Sequence, residues 1–290
     1  MPTKKVNNYV IYLDGDSNVI KLKRLVLSDK SIRLYVGQRM TLKYTTIPSN
    51  ASYTEITWTS DNPDIADVNE DGVVTGLKNG KTVVRIQINN ISVSCVVNVI
   101  EIIKFKDKNV KKICVRNWDK DGDGELSISE AAAVKEIPLP LFTGTPIKTF
   151  DELSYFKNLK TIGMHAFDSC SQLTSITFPQ SLEKIGKNAF SRCTSMETIT
   201  LSPGVTNIGS GAFTYCTNLT TVYVNNPVPP TNGERIFDYC DSMDSIKVPD
   251  ISLLRYCDTV GWGVDENNEY LYYSYLWPHG FDYTFDFFLS

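Results

Sequence analysis

Five acidic residues and two glycines recur at short, fixed intervals within residues 119–130, DKDGDGELSISE. Oxygen atoms are the ligands that hard divalent cations prefer. In a twelve-residue calcium loop, positions 1, 3, 5 and 12 supply side-chain oxygens, position 7 a backbone carbonyl and position 9 often a water-mediated contact. Gly124 stands at position 6, where the chain turns too sharply for a residue with a Cβ atom. The spacing predicts a Ca²⁺ site whose ligand residues are Asp119, Asp121, Asp123, Glu125, Ser127 and Glu130.

The residues on both sides of this loop favour helices, which would hold its two ends. Val110, Ile113, Cys114 and Trp118 fall on one face of a helix before the loop, and EAAAVKEI after it is helix-prone up to the following prolines. The whole segment resembles a single EF-hand. The backbone of Leu126, at position 8, would normally pair with a second loop, but no second loop follows. This absence disfavours a dockerin, and an acidic surface turn without metal is the alternative.

The overall composition excludes several classes of function. The chain has 290 residues, 42% of them hydrophobic, and a formal net charge of −4, which suits packed domains and gives no basic footprint for nucleic acid. The sequence has no run of about 18 apolar residues, so we expect no membrane-spanning segment. None of the seven cysteines forms a CxxC pair, and His165 and His279 lie far apart, so we expect no enzyme.

Residues 141–262 repeat a pattern with a period of 23 or 24 residues. Each of four phenylalanines is followed three residues later by cysteine, and then at intervals of three by Leu or Met and by Ile or Val. A unit this short cannot bury its own apolar face, so successive units must stack into a solenoid. We expect the rings and free, buried thiols to form inward-facing columns, and the Ile-Gly pairs at 185–186 and 208–209 to form corners. The phenylalanines are Phe167, Phe190, Phe213 and Phe237.

The pattern C-x-x-L-x-x-I-x-x-P-x-x-L-x-x-I-G-x-x-A-F resembles the BspA-like leucine-rich repeats of bacterial surface proteins. The match runs through 167–224, with a shortened opening coil at Phe156. DISLLRYCDTVGW, after Val248, resembles the helical cap that closes such arrays. The resemblance implies an extracellular protein of adhesion or ligand binding, without catalysis.

Residues 22–102 alternate apolar and polar side chains in short runs separated by turn residues. The runs IRLYV, MTLKYTTI, EITWTS, TVVRIQI and VSCVVNV predict the strands of a β-sandwich. This segment also resembles the group 2 bacterial immunoglobulin-like domain, whose members are spacers or adhesive modules of exported proteins. The resemblance therefore implies the cell surface. It rests on Trp58-Thr59-Ser60, Ile65-Ala66, Val68, Gly72-Val73-Val74-Thr75-Gly76 and Gly80.

Together these segments predict a mainly β protein of five parts. They are an N-terminal extension that a turn at 14–18 would fold into a hairpin (1–21), an immunoglobulin-like β-sandwich (22–102), an EF-hand module (103–140), leucine-rich repeats (141–262) and an aromatic C-terminal cap (263–290). The N-terminal lysines have no apolar run behind them, so the protein is either cytosolic or has a signal sequence or lipid anchor that lies outside the present sequence. The two family resemblances favour the second alternative.

We expect a non-catalytic, monomeric binding or adhesion protein, secreted or held at the bacterial outer surface, that recognises host or microbial proteins. Ca²⁺ would fix the junction between sandwich and solenoid. The alternative is a glycan-binding accessory role in carbohydrate uptake, carried by the aromatic tail 269–290, and a structural spacer is a third interpretation. Proteins would bind the outward strand face formed by Thr174, Ser175, Thr177, Glu197, Thr198, Thr200, Thr220, Thr221, Tyr223, Asp244, Ser245 and Lys247.

Overall fold

The computed structural model describes residues 19–248, and the chain divides into two compact units between Ile102 and Ile103. The predicted N-terminal hairpin, helical cap and aromatic tail lie outside the described residues. The prediction of a mainly β protein is confirmed, with short strands in both units and few helices. Within residues 19–248, no helix is long and apolar enough to cross a membrane.

Within residues 19–102 the first unit forms nine strands, and the five predicted runs all fall on them. Its two longest strands form an antiparallel hairpin through Asn89-Asn90, where Asn89 has the left-handed φ of 51° that a two-residue turn requires. The strands are β1 (Arg24–Leu27), β2 (Ser31–Tyr35), β3 (Arg39–Thr41), β4 (Tyr44–Ile47), β5 (Ile56–Ser60), β6 (Ala66–Val68), β7 (Val73–Gly76), β8 (Gly80–Ile88) and β9 (Ile91–Ile100).

These strands form sheets of order β2-β9-β8-β5 and β3-β7-β6 and a two-stranded ribbon β1-β4. All pairs are antiparallel except β2 with β9. Cys95, Val97 and Val99 alternate along β9 and are buried together with Leu34 and Val84. The sandwich prediction is thereby confirmed, and Cys95 serves as a small buried apolar residue.

The second unit begins with two helices, α1 (Lys108–Trp118) and α2 (Ile128–Ala133), on either side of the predicted loop. Asp107 caps α1, because its side chain accepts hydrogen bonds from the backbone N–H groups of Asn109 and Val110. The predicted extension of α2 to the prolines was wrong, because 136–137 forms a strand that pairs with 161–162. Tertiary pairing has overridden helix propensity there.

The rest of the second unit is a parallel solenoid, as predicted. Its strands form a five-stranded sheet β10-β12-β14-β16-β18, a pair β11-β13 and a three-stranded sheet β15-β17-β19. A short 3-10 helix, Asp151–Tyr155, follows β11. The strands are β10 (Glu136–Ile137), β11 (Thr149–Phe150), β12 (Thr161–Ile162), β13 (Ser175–Ile176), β14 (Lys184–Ile185), β15 (Thr198–Leu201), β16 (Asn207–Ile208), β17 (Thr221–Val224), β18 (Thr231–Asn232) and β19 (Ser245–Lys247).

The predicted phenylalanine column forms and has one member more than the repeat pattern indicated. Neighbouring rings stack with centroids 4.8 to 5.6 Å apart and planes within 15° of parallel. Phe142 begins the column although no cysteine follows it, because Thr145 takes the cysteine position and donates its hydroxyl to Phe142 O. The column consists of Phe142, Phe167, Phe190, Phe213 and Phe237.

The cysteine column lies beside the rings, and its members are free and buried, as predicted. Each thiol donates to the backbone carbonyl of the phenylalanine one coil earlier, at 3.1 to 3.3 Å. Cysteine suits this position because it is small, apolar and still a weak hydrogen-bond donor. The four thiols are Cys170, Cys193, Cys216 and Cys240.

The repeat glycines serve a different purpose from the predicted sharp corner. Gly186 and Gly209 do not have left-handed φ angles. A Cβ on Gly186 would lie 2.6 Å from the carbonyl carbon of Gly163, and one on Gly209 would lie 2.4 Å from Lys187 N. These positions need glycine because successive coils approach each other closely there.

Candidate calcium site and solenoid surfaces

The three aspartates at the start of the predicted calcium loop converge. One carboxylate oxygen from each of Asp119, Asp121 and Asp123 lies within 4.8 Å of the other two. Gly122 and Gly124 turn the chain between them with left-handed φ angles of 73° and 84°. Their N–H groups donate to the two oxygens of Asp119 at 2.7 and 2.9 Å. The loop backbone itself therefore fixes the point at which the carboxylates meet.

Glu130 and Ser127 stand at the start of α2 and cap it. Ser127 Oγ accepts a hydrogen bond from Glu130 N–H at 3.2 Å, while Glu130 Oε2 accepts from Ser127 N–H at 2.9 Å. The other oxygen of Glu130 accepts from Lys120 N–H at 2.8 Å, which joins the end of the loop to its beginning. Glu130 thus lies at the loop, outside the convergent aspartate group.

The side chain of Glu125 forms an ion pair, which is compatible with the predicted role of its backbone carbonyl as a ligand. Its Oε1 pairs with Lys111 Nζ of α1 at 2.7 Å. The predicted ligand at this position is the backbone carbonyl, which this ion pair leaves available. The Lys111–Glu125 pair therefore ties the loop to the preceding helix without using a predicted ligand atom.

Hydrogen bonds within the loop favour its ionised carboxylates. Donation from Gly124 N–H, and then from Gly122 N–H, holds the pKa of Asp119 below its ordinary value despite some burial. Burial raises the pKa of Glu130, but hydrogen bonds from Ser127 and Lys120 outweigh it and lower the pKa overall. Both groups are therefore anionic at neutral pH, which is the form that binds a cation. A set of anionic oxygen donors around one point fits Ca²⁺.

The backbone carbonyl of Leu126 accepts a hydrogen bond that was not predicted from the sequence. Ile103 N–H donates to Leu126 O at 2.8 Å, and both side chains are buried. The segment that enters the second unit therefore takes the position that a second loop would occupy. The first residue of this unit and the calcium loop are joined directly.

The helix–loop–helix segment packs on the first coil of the solenoid and shares its core. The predicted inward residues of α1 behave as expected: Val110 and Cys114 are buried and Trp118 packs edge-on against Phe156 at 5.2 Å. Lys148 N–H also donates to the capping carboxylate of α1 at 2.6 Å. The segment thus closes the N-terminal end of the coil stack, which the terminal coil of a repeat protein requires.

The predicted binding face of the repeat strands is partly occupied by contacts between coils. Thr174 and Thr220 donate their hydroxyls, each at 3.0 Å, to the carbonyls of Lys148 and Glu197 in the preceding coil. These threonines therefore hold the stack together in addition to facing solvent. The residues of this face that are exposed are Thr174, Thr177, Glu197, Thr198, Thr200 and Asp244.

A second solenoid surface was not found from the sequence. Two residues after each repeat phenylalanine, side chains from successive coils form one row, which we call the corner column: Ser169, Arg192, Tyr215 and Tyr239. Tyr215 and Tyr239 stack with ring centroids 4.3 Å apart and planes 4° from parallel. Alignment of the repeats by position, rather than by shared residue type, would have revealed the row.

The described cysteines lack the features of a reactive nucleophile. Burial raises the pKa of Cys170 to about 11 and that of Cys193 well above its ordinary value. His165 Nδ1 pairs with Asp168 at 2.9 Å, and His279 lies outside the described residues. The buried thiols and the paired histidine are consistent with structural roles.

Comparisons with known proteins identify both units. Residues 135–257 match the family model described as BspA type leucine rich repeat region, in six copies. Residues 23–96 match that of the bacterial Ig-like domain, group 2. The chain therefore contains a BspA-type leucine-rich repeat region and a group 2 immunoglobulin-like domain. Both families are typically non-catalytic surface domains. The calcium loop lies between the two matched regions and stays a prediction.

Similar solved structures cover only parts of this chain. Domains 4 and 5 of the S-layer protein SbsC are 22% identical, with 27% of this chain and 51% of that chain covered and a TM-score of 0.24. A leucine-rich repeat protein from Bacteroides ovatus ATCC 8483 is 24% identical, with 42% and 39% covered and a TM-score of 0.29. The chain thus spans about half the length of the first and less of the second. No curated protein matches it.

Proposed function

We propose that this protein is a non-catalytic binding protein of the bacterial cell surface that recognises other proteins. The observation that carries the proposal is the coil stack itself. Its parallel strands and corners present rows of side chains from successive coils along one continuous surface. Solenoids use such extended surfaces to bind proteins. Membership of two families of surface domains supports the same conclusion.

Calcium has a structural role in this proposal. Ca²⁺ bound by Asp119, Asp121, Asp123, the Glu125 carbonyl, Ser127 and Glu130 would stabilise the loop. The loop contacts the entering segment through Ile103, and α1 contacts the first coil through Trp118. Calcium would therefore stabilise both the N-terminal cap of the solenoid and the segment that connects the two units. A signalling role has less support, because the chain contains no second calcium loop.

An array of extracellular-matrix proteins and polysaccharides tests the ligand class. It is probed with the whole chain in Ca²⁺ and again in EDTA. The variant Asp71→Asn, which removes an exposed carboxylate of the first unit outside the calcium loop, is probed in the same way as a control. We expect protein spots that bind in Ca²⁺ and weaken in EDTA for both chains. Binding confined to polysaccharides would contradict the proposal and support the accessory role in carbohydrate uptake.

The calcium role has a test that does not need the ligand. Small-angle X-ray scattering of the whole chain is recorded in Ca²⁺ and in EDTA. We expect a larger radius of gyration and a broader distance distribution in EDTA, because the connecting segment loses its anchored partner. Superimposable profiles would contradict the proposed role at the junction and leave the ligand class untouched.

A further inference from the structure

The corner column is set by the backbone. Ser169, Arg192, Tyr215 and Tyr239 all have left-handed φ angles, between 59° and 61°, which non-glycine residues rarely adopt. The N–H groups of the first three donate to carbonyls of the next coil at 2.7 to 2.8 Å. Each side chain therefore leaves its coil at the same place and in the same direction. The row is preorganised before any partner arrives.

The middle of this row is a rigid aromatic stack that faces solvent. Tyr215 lies between the ring of Tyr239, 4.3 Å away, and the guanidinium of Arg192, whose central carbon lies 5.6 Å from the ring centre. The two tyrosines are nevertheless 40% and 54% exposed. Tyrosine and arginine are enriched at the energetic centres of protein interfaces. A preformed stack also loses little conformational freedom on binding.

The covered faces of Tyr215 disfavour a sugar stacked on this ring. A sugar stacks on the face of an aromatic ring, but both faces of Tyr215 are already covered by Arg192 and Tyr239. Tyr215 therefore offers a partner the edge of its ring and its hydroxyl, and Arg192 offers the outer N–H groups of its guanidinium. The guanidinium can only donate hydrogen bonds and the hydroxyl can donate or accept, so the stack suits a partner that brings acceptors.

The charges around the stack favour an acidic acceptor. Asp168 lies behind Arg192, with Oδ1 3.4 Å from the guanidinium and only 13% of its side chain exposed, whereas the Arg192 side chain is 58% exposed. Lys187 is exposed and precedes Arg192 by five residues in the same coil, whereas the exposed carboxylates Glu234 and Asp241 lie in the coil of Tyr239. The Arg192 end is therefore cationic at its surface.

We propose that Arg192, Tyr215 and Tyr239 form the docking surface for an acidic segment of a partner protein. A carboxylate of the partner would bind Arg192, supported by Lys187, and an adjacent apolar side chain would lie against the exposed edges of the two tyrosines. This inference rests on the proposed protein-binding function and names the surface and the partner chemistry.

The probe for this surface is a phage-displayed library of random dodecapeptides, selected on the whole chain. Selected peptides are then measured as synthetic, fluorescent peptides, each with a version in which Asp and Glu are replaced by Asn and Gln. The test variants are Arg192→Glu and the double variant Tyr215→Ala with Tyr239→Ala. The matched control is Tyr155→Ala, because Tyr155 is equally exposed and lies in the 3-10 helix instead of the column. Melting curves confirm that each variant is folded.

We expect the selected peptides to be enriched in Asp and Glu. Their affinity should fall about tenfold in both test variants and in the Asn/Gln peptides, and stay unchanged in Tyr155→Ala. No enrichment, neutral or basic selected peptides, or equal affinity for the tyrosine variant would overturn the docking surface. If matrix proteins still bind on the array, the proposed function stands even though the docking surface is wrong. If only polysaccharides bind, and the tyrosine variant abolishes that binding, both the proposed function and the docking surface are wrong.

Discussion

The two units bury their cores in different ways. In the sandwich, an inward side chain meets a different residue on the next strand, as Val84 does opposite Cys95. In the solenoid, an inward side chain meets its own kind, as Phe190 does between Phe167 and Phe213 at 5.0 and 5.4 Å. A substitution in the sandwich therefore disturbs one local set of contacts, whereas a substitution in the solenoid disturbs the coils on both sides.

The same difference explains where the proposed calcium site would matter. A stack of similar coils needs a first coil that differs from the rest, because nothing of its kind precedes it. In this protein the calcium loop and its helices take that place and contribute Val110, Cys114 and Leu126 to the solenoid core. The packing of these residues affects the stability of the second unit, while the core of the sandwich consists of residues of the first unit.

Phe190→Ala gives the largest expected effect and tests the rule of stacked identical side chains. Loss of the central ring should destabilise the second unit by about 3–5 kcal/mol, since it removes buried area and leaves a cavity between two neighbours. Hydrogen exchange followed by mass spectrometry in increasing urea would show lost protection across 142–237, while 24–100 keeps its protection. Val84→Ala is the control and should affect only the first unit. Equal loss of protection in both units would contradict the comparison.

Removal of calcium is the next effect in size. At about 10 mM Ca²⁺, a loop with a dissociation constant of about 10⁻⁴–10⁻³ M would add about 1.4–2.7 kcal/mol to the stability of the unit that contains it. EDTA should therefore lower the melting temperature of the second unit and leave that of the first unchanged in differential scanning calorimetry.

Asp121→Asn sharpens the calcium test, because it removes one ligand charge without changing the size of the side chain. The variant should show a smaller calcium-dependent shift than Asp71→Asn, which removes the same charge from a turn of the first unit. A shift of the same size in both variants, or one in the transition of the first unit, would exclude the loop as the stabilising site.

The parts of the molecule that the sequence predicted best are those whose signals are local or repeat by residue type. The Phe and Cys columns repeat the same letters, so their positions could be read directly. The calcium loop occupies twelve consecutive residues, so its ligand positions could also be proposed from the sequence, and they stay a prediction. Both sandwich and solenoid followed from alternation and period. The structure adds the convergence of Asp119, Asp121 and Asp123 but leaves the metal itself a prediction.

The features that sequence reasoning missed depend on contacts between distant or dissimilar residues. The Ile103–Leu126 hydrogen bond joins positions that no motif connects. The corner column escaped notice because its members are Ser, Arg, Tyr and Tyr, which share a backbone conformation but no residue type. The end of α2 was wrong because 136–137 pairs with a strand that lies about one coil further along the chain.

Gly186→Ala tests whether the repeat glycine is needed for space. The added Cβ would lie 2.6 Å from backbone atoms of Gly163 and Met164, so the coils must shift apart, at a cost of about 1–3 kcal/mol. Gly37→Ala in the first unit is the control, since Gly37 has a left-handed φ of 85° but nothing within 4 Å of an added Cβ. It should cost about 1 kcal/mol from conformation alone. Urea denaturation of each unit measures both; a smaller loss at Gly186 than at Gly37 would contradict the explanation by close approach of the coils.

Asp151→Asn gives the smallest effect and tests a polar contact of the cap. Burial raises the pKa of Asp151, but hydrogen bonds from Lys106 Nζ, at 3.0 Å, and from Ser175 and Thr177 outweigh it and lower the pKa in the folded chain. The stabilisation is therefore present above the ordinary carboxyl pKa and is lost as the pH falls through the lower folded value. We expect the free energy of unfolding of the wild type to exceed that of the variant by less than about 1 kcal/mol at neutral pH, and the two to be equal near pH ~2. Urea denaturation at both pH values, repeated with Lys106→Met and the double variant, isolates the pair. A difference that does not change with pH would show that shape, and not charge, holds this end of the solenoid.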